Sequence, residues 1–282
     1  MPELPELQAL AEGLTAHLDG RGVQGVAVHH PATLKTADPP PDALAGRAIR
    51  RVWRRGKLFG LEVEGGLHLV IHLMQAGRLG ITAAPVKRPG RQASLDVDVG
   101  DGEVLRLREL STKRRASAHV LDDAGLAVHR PYARLGPEPI GLGPDGWRAV
   151  LDGPGVLHTV LRDGRRVAGI GRAYGSEIMW AAKLAPFARA SSLDDDAVAR
   201  LARAADAVLT QALERTRERI TIDMPNREAR VTAVHGHHGE PCLRCGTRLE
   251  HVAFSEYDLV YCPACQTGGR IYRDRRMSRL LG

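Results

Sequence analysis

The 282-residue sequence predicts a multidomain α+β protein: an N-terminal helix with an antiparallel β-sandwich, a helical domain and a C-terminal zinc-ribbon-like finger. A long stretch of short Val-, Leu- and Ile-rich runs, broken by Gly and Asp-Gly turns, predicts the β domain. A long 3.6-residue apolar repeat late in the chain predicts the helical domain. Two C-x2-C pairs predict the finger.

The first helix opens at "MPELPEL". Proline suits the first helical turn, where its missing N–H costs nothing, and acids suit the positive end of the helix dipole. Leu7, Leu10, Ala11, Leu14 and Leu18 share one helical face before Gly20 ends the pattern. Residues 22–130 then read mainly as strands, in "GVQGVAVHH", "IRRVWRRGKLFGLEVEG", "LHLVIHLMQAGRL", "SLDVDVGDG" and "EVLRLREL". That spacing fits a sandwich or a barrel. Residues 1–130 are therefore taken as the first domain, and the Pro- and Gly-rich stretch 131–146 as a linker.

The helical domain runs over 147–225. In "SSLDDDAVARLARAADAVLTQALERTR" a Ser-x-x-Asp cap at Ser192 precedes acids in the first turn. Val198, Leu201, Ala205, Val208 and Ala212 then form an apolar stripe. The finger spans 226–270, and an Arg-rich tail covers 271–282.

Composition narrows the function. Aromatic residues make up only 4% of the chain, against a binding mode built on stacked single-stranded bases. The net charge of +7 favours a polyanionic partner. No apolar run approaches the roughly 18 residues of a membrane span, and the acidic start is unlike a secretory signal. A cytoplasmic, nucleoid-associated protein with no membrane partner is expected.

Cys242, Cys245, Cys262 and Cys265 form C-x2-C pairs separated by sixteen residues. Two such knuckles offer four thiolates to one structural Zn²⁺; an iron–sulfur cluster or a redox pair at one knuckle are the alternatives. Four protein ligands close a zinc site, so the metal holds a fold and does no chemistry. The segment "HVAFSEYDLVYC" between the knuckles reads as a hairpin. The "HGHHG" run (His235, His237, His238) reads as a solvated loop, and no organic cofactor is expected.

Taken in order, "MPELPE", "RRGKLF", "LGPEP", "VAGIGRAYGSEI" and "PCLRCG…YCPACQ" resemble the formamidopyrimidine-DNA glycosylase and endonuclease VIII family almost along the whole chain. The resemblance implies base-excision repair of oxidised bases by a bifunctional glycosylase and abasic-site lyase. The implied partner is double-stranded DNA with a damaged base or abasic site, bound by a monomer. It implies removal of Met1, leaving the secondary amine of Pro2 as nucleophile with Glu3 as the adjacent acid/base. It assigns Lys57 to phosphate contact and proton donation during β-elimination; a cation in a basic strand beside Arg50, Arg51, Arg54 and Arg55 is the alternative. It makes "VAGIGRAYGSE" a helix–two-turn–helix element with Arg172 at DNA phosphate. The glycines there lack the G-x-G-x-x-G spacing of a dinucleotide site.

Three departures stand out against that family. Tyr257 occupies the position of a finger arginine that grips phosphate and serves δ-elimination, with Arg270 a candidate replacement. The tail arginines, Arg273, Arg275, Arg276 and Arg279, equally suit a basic amphipathic helix. The side chains that fill the space left by an everted base are altered. Met74 falls one place early, with Gln75 at the usual position, and Arg114 is kept, but Ala116 replaces an aromatic residue. Met74 could equally be buried in its strand. Finally, "KRPGRQASLDV" lacks a histidine, leaving Arg88 or Arg91. Three rivals remain on sequence alone: an abasic-site lyase with little glycosylase activity, a non-catalytic damaged-DNA-binding protein, and a zinc-ribbon transcription factor.

Overall fold

A computed structural model of the chain describes residues 1–84, 90–224, 230–254 and 257–272. It divides into two compact units: Met1–Arg134 with Leu213–Ala229, and Leu135–Ala212 with Arg230–Gly282.

The first unit opens with α1 (Leu4–His17), continues through strands β1 (Gly25–Val28), β2 (Ile49–Arg55), β3 (Leu58–Val63), β4 (Leu67–His72), β5 (Gly77–Ala83), β6 (Ala93–Asp98), β7 (Glu103–Glu109) and β8 (Ser117–Asp122), and adds short helices α2 (Asp123–Val128) and α3 (Arg130–Ala133). The strands form two four-stranded antiparallel sheets, ordered β1-β6-β7-β5 and β2-β3-β4-β8. Alternate residues point inward. Phe59, Leu61 and Val63, Leu69 and Ile71, and Ala118 and Val120 from one sheet share a core with Leu79 and Ile81, Leu95 and Val97, and Leu105 and Leu107 from the other. This is a sandwich. The apolar face of α1 closes the same core through Leu7, Leu10, Ala11, Leu14 and Leu18. Residues 123–128 are helical, against the strand reading of residues 22–130, and the short helix 130–133 runs into the stretch read as a linker. The Asp122 carboxylate accepts from the Gly125 N–H (2.7 Å) and starts α2.

The second unit contains α4 (Gly143–Leu151), α5 (Leu157–Val160), α6 (Arg172–Ala181) and most of α7 (Asp195–Arg219). Helix α7 is capped by Asp194, whose carboxylate accepts from the Ala197 N–H at 2.7 Å. Ser192, the expected cap, instead ends a 3₁₀ turn and donates to the Arg189 carbonyl. Leu193 is extended (φ −70°, ψ 131°), so the helix cannot start before Asp194. Val198, Leu201 and Ala205 are buried, as the apolar repeat requires. Strands β9 (Glu250–Ala253) and β10 (Asp258–Tyr261) form the hairpin expected between the cysteine pairs, followed by α8 (Pro263–Thr267).

Among the described residues, no helix is long and apolar enough to cross a membrane. Arg88 and the tail arginines Arg273, Arg275, Arg276 and Arg279 lie outside the described residues.

Candidate active site and zinc finger

In the first unit, Glu3 is the N-cap of α1 and is buried, while Pro2 is half-buried and Met1 exposed. The Glu6 carboxylate accepts from the Glu3 N–H (2.7 Å), so two acids meet at the positive end of this helix. Helix α1 runs antiparallel to β2. The Thr15 hydroxyl bridges the N–H and carbonyl of Val52 (3.0 and 2.9 Å), and the Arg54 Nε donates to Gln8 (2.9 Å). Going from Thr15 to Gln8 to Glu3, toward the start of α1, thus leads forward along β2, toward its end. The chain turns there through Gly56 and Lys57, the two-residue loop between paired Arg55 and Leu58. Gly56 has φ +57° and Lys57 does not share it, the pattern of a type II′ hairpin turn, which needs glycine first. Pro2, Glu3 and Lys57 therefore belong to one end of this unit.

His72, which sequence reasoning did not single out, pairs with Leu58 across β3–β4. Burial holds its imidazole below the ordinary histidine range, and the neighbouring Lys57 charge pushes in the same direction. A neutral imidazole beside a lysine can accept a proton or a hydrogen bond where a second cation could not.

Met74 lies in the turn after β4 and not in a strand, with Gln75 exposed beside it. Its φ of +52° is a left-handed conformation that costs a side-chain-bearing residue about 1 kcal/mol. The turn closes through the Gly77 N–H on the Leu73 carbonyl at 2.8 Å. A Cβ on Gly77 would stand 2.3 Å from that carbonyl oxygen. Arg114 folds back along its own sheet, with one nitrogen donating to the Arg91 carbonyl and another 3.4 Å from the Ser94 hydroxyl. Ala116 is 4% exposed and part of the sandwich core, so the position lacking an aromatic side chain faces inward. Glu109, also missed from sequence, fixes this segment. Its buried carboxylate accepts from the N–H groups of Arg115 (3.1 Å) and Ala116 (2.8 Å).

In the second unit, the four cysteine sulfurs lie within 4.8 Å of one another, the one such metal-ligating group among the described residues. Four thiolates at ~2.3 Å from a tetrahedral zinc stand roughly 3.8 Å apart, so the set suits the ion. Burial pushes the Cys262 thiol up, whereas hydrogen bonds from Thr247 draw Cys245 down. The cation itself supplies the charge that deprotonates coordinating thiols. The Trp180 indole donates to Cys242 Sγ (3.3 Å), and Arg244 both lies on that indole and donates to the Trp180 carbonyl. The finger is thereby tied to α6. Glu177, one helical turn before Trp180, accepts from three consecutive N–H groups: Ala233 (2.7 Å), Val234 (3.0 Å) and His235 (2.8 Å). In the His run, His237 pairs with Glu240, and His238 packs on His251.

Arg172 is the first residue of α6, and its guanidinium lies 4.5 Å from the centroid of the Tyr257 ring. Arg270 is exposed just beyond α8, its guanidinium 5.1 Å from the Tyr272 ring.

A helix-capped β-sandwich with a proline second in the chain, a helical domain and a four-cysteine finger define a zinc-finger DNA glycosylase. The models that match say which. Residues 1–116 match the formamidopyrimidine-DNA glycosylase N-terminal domain, 152–224 the H2TH domain of that glycosylase, and 239–268 the zinc finger found in FPG and IleRS. The formamidopyrimidine-DNA glycosylase of Geobacter sulfurreducens is 32% identical over 276 residues, covering 94% of this chain and all of that one. That of Ralstonia nicotianae is also 32% identical, with the same coverage. Among solved structures, MutM in complex with DNA containing carbocyclic 8-oxo-G superposes with a TM-score of 0.83 at 21% identity, over 94% of this chain and all of that one. Lactococcus lactis Fpg bound to DNA containing an abasic site gives 0.81 at 20% identity, over 94% and 99%. The chain belongs to the formamidopyrimidine-DNA glycosylase family. Its finger holds one structural zinc.

Proposed function

We propose that this chain is a bifunctional glycosylase and abasic-site lyase of base-excision repair, acting as a monomer on duplex DNA with an oxidised base or an abasic site. The observation that carries this reading is the Pro2–Glu3 terminus at the same end of the first unit as the Gly56–Lys57 turn. Once Met1 is removed, the Pro2 nitrogen carries a lone pair and attacks C1′ of the damaged nucleoside. The C1′–base bond breaks and the base leaves with the bonding pair, taking a proton from water, while the Glu3 carboxylate takes up the proton shed by the Pro2 nitrogen and passes it to the sugar ring oxygen as the ring opens. The product is a Schiff base between Pro2 and C1′. Loss of a C2′ proton then drives β-elimination of the 3′ phosphate, with Lys57 as proton carrier.

The ring of Pro2 fixes its φ, which restricts the nucleophile's motion. The helix N-terminus disfavours a second positive charge and so favours the neutral amine, while the Glu3 carboxylate favours the ammonium. Filling the vacated stack would draw on Met74 and Gln75. Arg114 would have to leave the Arg91 carbonyl and the Ser94 hydroxyl to join them.

A second reading, a lyase with little glycosylase activity, is favoured by Ala116, which is core and offers no wedge. Borohydride trapping separates the two. Wild type, with Met1 confirmed absent by mass, is expected to form adducts with abasic duplex and with particular oxidised bases. Pro2→Gly should trap far more slowly, and Glu3→Gln should lose base release. Adducts on abasic DNA alone would leave only the lyase. No adduct on any substrate would overturn both.

A further inference from the structure

Aromatic side chains are scarce in this chain, yet two of its three phenylalanines and three of its five tyrosines gather in one cluster of the second unit. Tyr257, where the β9–β10 hairpin closes by the Phe254 N–H on the Tyr257 carbonyl (2.7 Å), stacks on Phe254 at 4.6 Å and 11°. Phe254 packs on buried His158, which in turn meets Phe187. The Tyr257 ring is therefore a backed, fixed surface.

Two guanidiniums lie on that ring. Arg162 Cζ stands 4.1 Å from the centroid and Arg172 Cζ 4.5 Å. An aromatic ring attracts a cation through its quadrupole, but two cations on one ring repel each other. Arg162 gains no relief from an acid. The adjacent Asp163 is taken by Arg165 (2.9 and 2.7 Å), and among the described residues no carboxylate lies within ion-pair distance of Arg162. Its stem runs over α6, with Cγ 3.9 Å from where a side chain on Gly175 would begin. Two half-buried cations held at one rigid ring concentrate positive charge of the kind that draws an oxyanion.

We propose that Arg162 and Arg172, seated on Tyr257, clamp a single phosphodiester of the DNA backbone, with Tyr257 acting as a positioning residue. This rests on the reading of the chain as a DNA glycosylase. The neutral tyrosine contributes no charge of its own; it sets where two arginine charges stand.

Each protein cation placed on a phosphate steepens the salt dependence of duplex binding by about 0.9 in log–log slope. The test is fluorescence anisotropy with duplex bearing a tetrahydrofuran abasic analogue, from about 50 to 200 mM salt. Arg162→Ala should make the slope shallower by about 0.9 and weaken binding roughly tenfold near the middle of that range. Tyr257→Leu should make the slope shallower by at least as much, since both cations lose their seat. Tyr257→Phe keeps the ring and should restore the wild-type slope. The double variant Arg162→Ala/Tyr257→Leu should be weaker than Tyr257→Leu by much less than tenfold. Arg162→Lys, which keeps charge without the planar fork, guards against a variant that fails to fold, as do zinc content and melting temperature. An unchanged slope in Arg162→Ala would overturn the proposal. So would a Tyr257→Leu variant that loses affinity with its slope intact. Failure of the wild type to bind or be trapped would strike the glycosylase reading instead.

Discussion

Glu177 gives a quantitative test of how the second unit is held together. Its carboxylate, 7% exposed on α6, receives three consecutive backbone N–H groups at 2.7–3.0 Å, and one of them belongs to fully buried Val234 at the centre of the finger's small core. In Glu177→Gln the amide oxygen can stay on Val234 and His235, which share one oxygen in the native contact. The new NH2 then faces the Ala233 N–H, donor against donor. One charge-assisted bond is lost outright, and bonds to charged groups are worth about 1.5–3 kcal/mol each. The two that remain lose their charge assistance. A destabilisation of about 3 kcal/mol follows for Gln, and about 4 kcal/mol or more for Ala, which leaves all three donors unsatisfied. For a folding unit of this size, the Gln change corresponds to a fall of roughly 6–12 °C in Tm. The assay is calorimetric melting of the zinc-loaded full chain, with a zinc-release dye followed in parallel. Zinc release should move down with the transition, because the anchored segment leads into the first knuckle. A Glu177→Gln protein that melts within about 1 °C of wild type would refute the reasoning, since so small a shift leaves less than about 1 kcal/mol for all three bonds.

Other outcomes follow from the same geometry. Gly77→Ala brings a Cβ to 2.3 Å from backbone, which cannot swing aside, so the turn carrying Met74 and Gln75 should be rebuilt at a cost of about 1–3 kcal/mol. Base excision should then fall more than cleavage of a preformed abasic site, measured on matched duplexes. Metal analysis should find one zinc per chain, and chelation should abolish duplex binding while the far-ultraviolet signal of the sandwich persists. The His119 imidazole is pushed down to about 4, first by burial and then by the neighbouring charges of His129, Lys35 and His72. A histidine depressed below its unfolded value of about 6.5 adds stability above that pH and loses it as pH falls toward 4. Discounted for its partial exposure, the effect is about 1–2 kcal/mol. His119→Gln should flatten the pH dependence of Tm between those limits.

The parts of this molecule that were legible in the sequence are those set by local pattern. Five apolar residues at helical spacing place α1 on the core, and the cysteine spacing places the finger and its hairpin. The cap of α7 falls two residues later than the pattern suggests because Ser192 and Asp194 both suit the role, and only the extended Leu193 decides between them. The aromatic cluster around Tyr257 was illegible because its members, from His158 to Tyr272, are scattered along the chain.

Glu109 and Glu177 teach something different. Both are buried acids whose partners are backbone N–H groups of irregular segments, and such groups must find an acceptor once they are covered. No motif marks those segments. Yet each acid stands on a face that its own element's period assigns to the core. Glu109 follows Leu105 and Leu107 at the two-residue repeat of β7, and Glu177 follows Ala173 and Tyr174 at the three- and four-residue spacing of α6. A carboxylate in phase with an apolar stripe breaks the pattern, and burying its charge is costly unless donors meet it. The phase itself therefore predicts that an irregular segment folds over each of these acids.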